Sequence, residues 1–203
     1  MIPAVSYDHP DIYPTEEDYK AAFERFENQS KKVIHAGRAD KRIKLAGEVR
    51  RKDATLAMEA IKLMAPKIAE EKIIEILNNF PGVGRRFEKI ADGVYTDYAH
   101  HPEEIAATIG VAREQAEMDG KKGAVAVYQP HQNTRQHEVR SGYKDAFMDA
   151  DKIYWLPTYL TREDPNLPIL TPGELISGLT NASVAEVAEL DDVLAEKLRQ
   201  YMD

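Results

Sequence analysis

Gly84-Arg85-Arg86-Phe87-Glu88 is followed by Asp97-Tyr98-Ala99-His100-His101-Pro102 and then, past an apolar run, by Gln129-Pro130-His131. Guanidinium groups suit oxyanions, a carboxylate accepts hydrogen bonds, and imidazoles move protons near neutral pH. Brought together, two arginines, one aspartate and three histidines make a binding or catalytic cleft for a charged substrate. Taken alone, Arg85 and Arg86 read as a solvated strand edge, Asp97 as a turn residue and His100 as a helix-entry histidine. The joint spacing turns the reading towards chemistry. Gly82 and Gly84 make no dinucleotide fingerprint, because the third glycine and its helix are missing. His131 with His137 is a weak metal pair, and no metal site is expected. His9, His35 and His137 read as surface or structural residues.

These residues need elements to hold them. Thr15 with Glu16, Glu17 and Asp18 reads as a helix start, with Tyr19, Ala22, Phe23 and Phe26 on one face as far as about Asn28. Residues 31–35 read as a short strand and 36–48 as a charged connection. A second helix is expected from Asp53, presenting Ala54, Ala57, Ile61 and Met64; a third presents Ile73, Ile74 and Leu77 and stops at Asn78-Asn79. Phe80-Pro81-Gly82 marks a boundary. Beyond it, strand and helix signals alternate, which is the pattern of crossover units on a largely parallel sheet.

Strands are expected at 87–90 and 94–98 around an Ala91-Asp92-Gly93 turn, since glycine accepts a positive φ. Pro102 opens a helix with Ile105, Ile109, Ala112 and Ala116 on its buried stripe, and Glu103 and Glu104 suit its positive end. A strand at 123–128, a polar loop, a helix at 143–150, a strand at 152–156, a helix at 172–179, a strand at 183–187 and a helix at 191–202 complete the expectation. Ligands on such sheets collect beyond the carboxyl ends of the strands, where residues 97–101, 129–135 and Pro157, Thr158, Tyr159 and Arg162 should lie. Tyr154 and Trp155 read as core or cleft wall.

Composition narrows the function. The chain has 203 residues, a formal net charge of -8 and 43% hydrophobic content. Such an acidic chain is a poor match for nucleic-acid phosphates, which call for clustered Lys and Arg. Cysteine is absent, so thiolate catalysis and cysteine-ligated zinc are excluded. No apolar run approaches the roughly 20 residues that span a bilayer, so no membrane partner is expected. Nothing sets the oligomeric state.

Together, residues 82–88, 97–102 and 129–131 resemble the Mur ligases, in the branch that joins L-alanine to UDP-N-acetylmuramate. Upstream, Asp8-His9-Pro10-Asp11 and Gly47-Glu48 with Ala54 and Ala57 resemble the later part of that family's central ATP-binding domain. The resemblance implies an α/β fold, a Rossmann-like mostly parallel sheet flanked by helices, with a small mainly helical N-terminal region. Residues 1–80 would be a remnant of the central domain and 81–203 the C-terminal domain. It also implies ATP and Mg2+ as cofactors, UDP-N-acetylmuramate and L-alanine as substrates, and a cytoplasmic place in peptidoglycan precursor synthesis. The muramoyl carboxylate would be phosphorylated, and the alanine amine would then attack the acyl phosphate to form an amide.

Carried over by resemblance, Arg86 is the phosphate-contacting arginine and Asp97 the carboxylate that accepts from the ATP ribose. Arg135 would hold the carboxylate of the incoming amino acid. His100, His101 and His131 would line the substrate side of an interdomain site, where a neutral imidazole can take a proton from the attacking ammonium. Gln132 and Asn133 stand where the family carries an arginine and an aromatic residue. No Gly-x-x-x-x-Gly-Lys-Ser/Thr loop occurs in the sequence, so the chain is expected to be part of such an enzyme and inactive by itself. Three rival readings remain: a non-catalytic nucleotide or amino-acid binding module, a ligase that adds a whole peptide, and a metal-dependent hydrolase using His100, His101, His131 and Asp97.

Overall fold

The computed structural model describes residues 1–7 and 12–201. The chain divides into two units, Met1–Pro81 and Gly82–Asp203.

In the first unit, α1 (Glu16–Gln29) starts where the Thr15 side chain accepts from the Asp18 N–H, as the capping sequence requires. None of its residues is buried, and Phe26 lies on the surface. The strand expected at 31–35 is reduced to a single parallel bridge, Ile2 to His35: Ile2 donates to the Ile34 carbonyl and Ala36 donates to Ile2. With no further partner strand among the described residues, the segment has no ladder to extend. The second helix, α2 (Glu48–Met64), begins well before Asp53 and enters from Gly47 at φ 84°. That left-handed backbone is open to glycine at little cost. Its buried positions are Ala54, as expected, with Leu56, Met58 and Ala60 in place of Ala57, Ile61 and Met64, the last of which is 86% exposed. Burial on alternate residues marks a helix covered on more than one side. α3 (Glu70–Asn78) ends at Asn79 as expected. Asn78 ties it down, accepting from the Lys44 N–H and donating to the Arg42 carbonyl. The Asp8-His9-Pro10-Asp11 segment lies outside the described residues.

The second unit opens with a hairpin, β1 (Glu88–Ala91) against β2 (Val94–Thr96), turning at Gly93 with φ 68°. These two strands form their own antiparallel sheet. The main sheet is parallel, in the order β3 (Val125–Tyr128), β4 (Lys152–Trp155), β5 (Ala185–Val187). After Lys152, central β4 is apolar because both of its faces are covered, with Ile153 and Trp155 at 0% exposure. On one face Trp155 and Ile153 pack with Ile105 and Ile109 of α4 (Pro102–Met118), with Tyr143 and Phe147, and with Leu175 of α6 (Pro172–Ser177). On the other, Tyr154 and Leu156 pack with Leu194 of α7 (Asp192–Arg199). The result is an α/β domain with helices on both faces of a parallel sheet.

Several segments of this unit depart from expectation. The polar loop after β3 contains a helix, α5 (Asn133–Val139), and the helix expected at 143–150 is a 3-10 helix, Arg140–Asp145, followed by turns. The bonds from Ala146 to Tyr143, Met148 to Asp145 and Ala150 to Phe147 all skip three residues, which turns Tyr143, Ala146, Phe147 and Ala150 into the core. A shorter 3-10 turn at Ala182–Val184 precedes β5, so that strand starts at Ala185. The last described helix ends at Arg199, and Met202 lies outside the described residues.

Candidate functional site

The chain beyond β3 and the chain beyond β4 are knitted together past the ends of their strands. Leu156 donates to the Tyr128 carbonyl at 2.8 Å, Tyr159 to Pro130 at 2.8 Å and Gln132 to Tyr159 at 2.9 Å. This places His131 opposite Tyr159, whose ring stacks on the imidazole with centroids 5.4 Å apart and planes 22° from parallel. Below them a buried polar chain fixes the backbone. The Tyr143 hydroxyl donates to Gln136 Oε1 at 2.6 Å and lies 2.9 Å from the Tyr128 hydroxyl, while Gln136 Nε2 donates to the His131 carbonyl at 3.2 Å. Burial with so few polar neighbours pushes both phenol pKa values up, so these hydroxyls stay protonated.

The His131 Nδ1 is buried and has no hydrogen-bond partner among the described residues. Burial, the charge of Arg135 and that of His100 hold its pKa below the usual histidine value, with Glu163 pulling the other way. The imidazole is therefore neutral at physiological pH. Because protonation is harder in the folded state, the stability tied to this group is complete above the unfolded value of about 6.5 and declines as the pH falls below it.

The 97–102 segment contributes the other side. Asp97 Oδ2 accepts from the Phe87 N–H at 2.6 Å and Oδ1 from the Ala99 N–H at 2.7 Å. Both carboxylate oxygens are thus engaged by the neighbouring backbone, and each keeps acceptor capacity for a further donor. The clamp on Phe87 has a purpose in the fold, since Arg85 and Phe87 adopt φ of 57° and 47°. Non-glycine residues there are strained, and the other two in the described chain, Gln132 at 66° and Arg162 at 54°, lie in the chain beyond β3 and β4. Strain therefore concentrates around the expected site residues.

Arg85 and Arg86 both lie over the exposed Tyr98 ring, at 5.3 and 5.8 Å from its centroid. His100 meets the edge of the same ring at 5.3 Å, and its Nδ1 lies 3.0 Å from the Tyr98 carbonyl. A carbonyl only accepts, so Nδ1 is the donor in that contact, and the Glu104 carboxylate lies 3.5 Å from the same nitrogen. The Glu104 carboxylate accepts from the N–H groups of His100 at 3.1 Å and His101 at 3.3 Å, which fixes the entry to α4. His101 is the residue that caps that helix.

A connected series follows: Arg85 and Arg86 on Tyr98, Tyr98 against His100, His100 within electrostatic reach of His131, and His131 stacked on Tyr159 and near Arg135. Arg135 lies in α5, not in a loop. Sequence reasoning named the arginines, Asp97 and the histidines and put Tyr159 at the rim without its stack on His131; it missed Gln136 and Glu163. Glu163 accepts from the Thr134 and Thr161 N–H groups, and only the pairing of two loops makes it a neighbour of the site. Among the described residues no group of three or more His, Asp or Glu is disposed to hold a metal ion. No described helix is long and apolar enough to cross a membrane.

A parallel sheet covered on both faces, with a polar rim beyond two strand ends, defines a Rossmann-like α/β domain. No family model matches the chain. Its homologues are UDP-N-acetylmuramate–L-alanine ligases. That of Rickettsia felis is 38% identical over 125 residues, covering 58% of this chain and 26% of its own length. That of Mycobacterium avium is 34% identical over 139 residues, covering 64% and 25%. The crystal structure of the UDP-N-acetylmuramate-alanine ligase from Thermotoga maritima shares the fold, with a TM-score of 0.64 and 19% identity over 93% of this chain and 50% of that one. The chain thus spans about a quarter of the length of the curated relatives it matches.

Proposed function

We propose that the chain is the C-terminal portion of an ATP-dependent ligase that joins L-alanine to UDP-N-acetylmuramate in peptidoglycan precursor synthesis, in the cytoplasm. In this reading residues 1–80 are a remnant of the central ATP-binding domain and 81–203 the C-terminal domain. The observation that carries it is that the homologues are ligases of that name, and it is supported by the paired guanidiniums over Tyr98, whose ring edge meets His100. Phosphoryl transfer between anions needs fixed positive charge, and Arg86, braced with Arg85 on Tyr98, supplies it. Asp97 keeps acceptor capacity for a ribose hydroxyl, and Arg135 offers a cation for the amino-acid carboxylate. His131 is held neutral and can take the ammonium proton. His100 and His101 line the same side.

ATP with Mg2+ would supply the transferred phosphoryl group and charge neutralisation. The paired guanidiniums fit its phosphates, whereas the magnesium ligands and the phosphate-binding loop would come from residues other than those described. On this account the isolated chain does not turn over. Calorimetric titration with ATP and then L-alanine should show weak binding, and phosphate release with UDP-N-acetylmuramate, ATP and L-alanine should stay at background. Sustained phosphate release would contradict the incompleteness. No heat from either ligand would leave the site without its substrates. A peptide-adding ligase is the nearest variant, and preference for a tripeptide over alanine in a completed enzyme would establish it.

A further inference from the structure

Glu163 lies in the chain that follows β4, next to Arg162 with its left-handed φ of 54°. Its Oε1 accepts from the Thr161 N–H at 2.7 Å, and its Oε2 from the Thr134 N–H at 3.0 Å and the Thr134 hydroxyl at 3.4 Å. The same hydroxyl accepts from the Asp164 N–H at 3.1 Å. One carboxylate therefore pins the first turn of α5 to the segment after β4. Other anchors of α5 are Asn133, which accepts from the Leu170 N–H at 2.8 Å and donates to the Pro168 carbonyl at 3.0 Å, His137, whose Nε2 lies 2.8 Å from the same carbonyl, and Gln136, which carries the His131 carbonyl. Thr134 is flanked by residues that matter to the rim, with Arg135 next in sequence and His131 just before the helix.

The charge of Glu163 is maintained. Burial pushes its pKa up, but the backbone N–H groups of Thr161, Thr134 and Asn133 outweigh it and hold the carboxyl below its usual range. It is the negative group that reaches His131, against the positive Arg135 from α5 and His100 from the start of α4, with Tyr159 covering the ring face.

We propose that Glu163 is the positioning residue of this rim: by clamping the Thr134 and Thr161 amides it fixes the start of α5, so that Arg135 and His131 are held at the same place. Its importance for catalysis rests on the ligase reading above, while the clamp itself is testable without any ligand. The experiment is an NMR pH titration of the full 203-residue chain carrying labelled histidine, with the His131 signal assigned through His131→Asn, together with amide hydrogen exchange. Glu163→Gln keeps the shape and removes the charge. The His131 midpoint should fall below that of the parent, since Arg135 and His100 then act unopposed. Glu163→Ala removes both acceptors, and exchange at Thr134 and Thr161 should accelerate while Ile153 and Trp155 in β4 stay protected. If the alanine variant does not fold, the glutamine titration decides. An unmoved or raised His131 midpoint in Glu163→Gln overturns the proposal, as does exchange in Glu163→Ala that is unchanged at Thr134 and Thr161 or accelerated equally in β4. Absence of ATP or alanine binding sinks the ligase reading and leaves both measurements untouched.

Discussion

Asp97 has a structural task whatever it binds. Its carboxylate closes the turn to Ala99 and clamps Phe87 in a backbone conformation that side chains disfavour, which in turn sets where Arg85 and Arg86 emerge. Replacing Asp97 with alanine strands two backbone N–H groups and should cost about 1–2 kcal/mol. Trp155 is the single tryptophan and lies in the core of the second unit, so its fluorescence during urea unfolding reads that unit alone. An unchanged midpoint would show that the clamp does not support the fold. Arg86 is the converse case, an exposed side chain with no burial to protect. Arg86→Ala, placed in a full-length ligase chimera, should depress turnover at least tenfold under the proposed role, since one charge-assisted contact to a transferring phosphoryl group is worth more than about 1.4 kcal/mol. Nucleotide affinity should change far less. Equal loss of both would make Arg86 a simple anchor.

Elements carry these residues only if their junctions hold. Gly142 lies in the 3-10 helix against Pro102, and a Cβ there would sit 2.8 Å from the Pro102 Cγ and 3.1 Å from its Cβ. The rigid ring that opens α4 cannot rotate away, so Gly142→Ala should destabilise the unit by about 1–3 kcal/mol, measured by the same tryptophan signal. A neutral effect would mean that α4 shifts freely. The start of that helix was legible in sequence because proline at a first helical position and a following glutamate pair are local signals, and β4 was legible because a strand covered on both faces reads as an apolar run. α5 was not, since its buried positions are Asn133 and Gln136, amides at helical spacing that hydropathy counts as polar. The early start of α2 was hidden for a similar reason, its first turn being charged and its entry residue a glycine. Arg135 and His131 could be named from residue type, yet Tyr159 and Glu163 join them only through hydrogen bonds between two loops remote in sequence.

At the scale of the molecule, the second unit has a covered sheet, a buried aromatic centre around Trp155 and a rim of charged groups, while the first buries chiefly the α2 and α3 residues. In the proposed reading the second unit presents Arg86, His131 and Arg135, and the triphosphate is cradled elsewhere in the enzyme. The account therefore stands or falls on completion. The decisive measurement is formation of UDP-N-acetylmuramoyl-L-alanine by a chimera in which residues 82–203 replace the corresponding C-terminal part of the Rickettsia felis ligase. The account predicts ATP-dependent product that is lost with Arg86→Ala. A folded chimera that binds ATP and makes no product would contradict it.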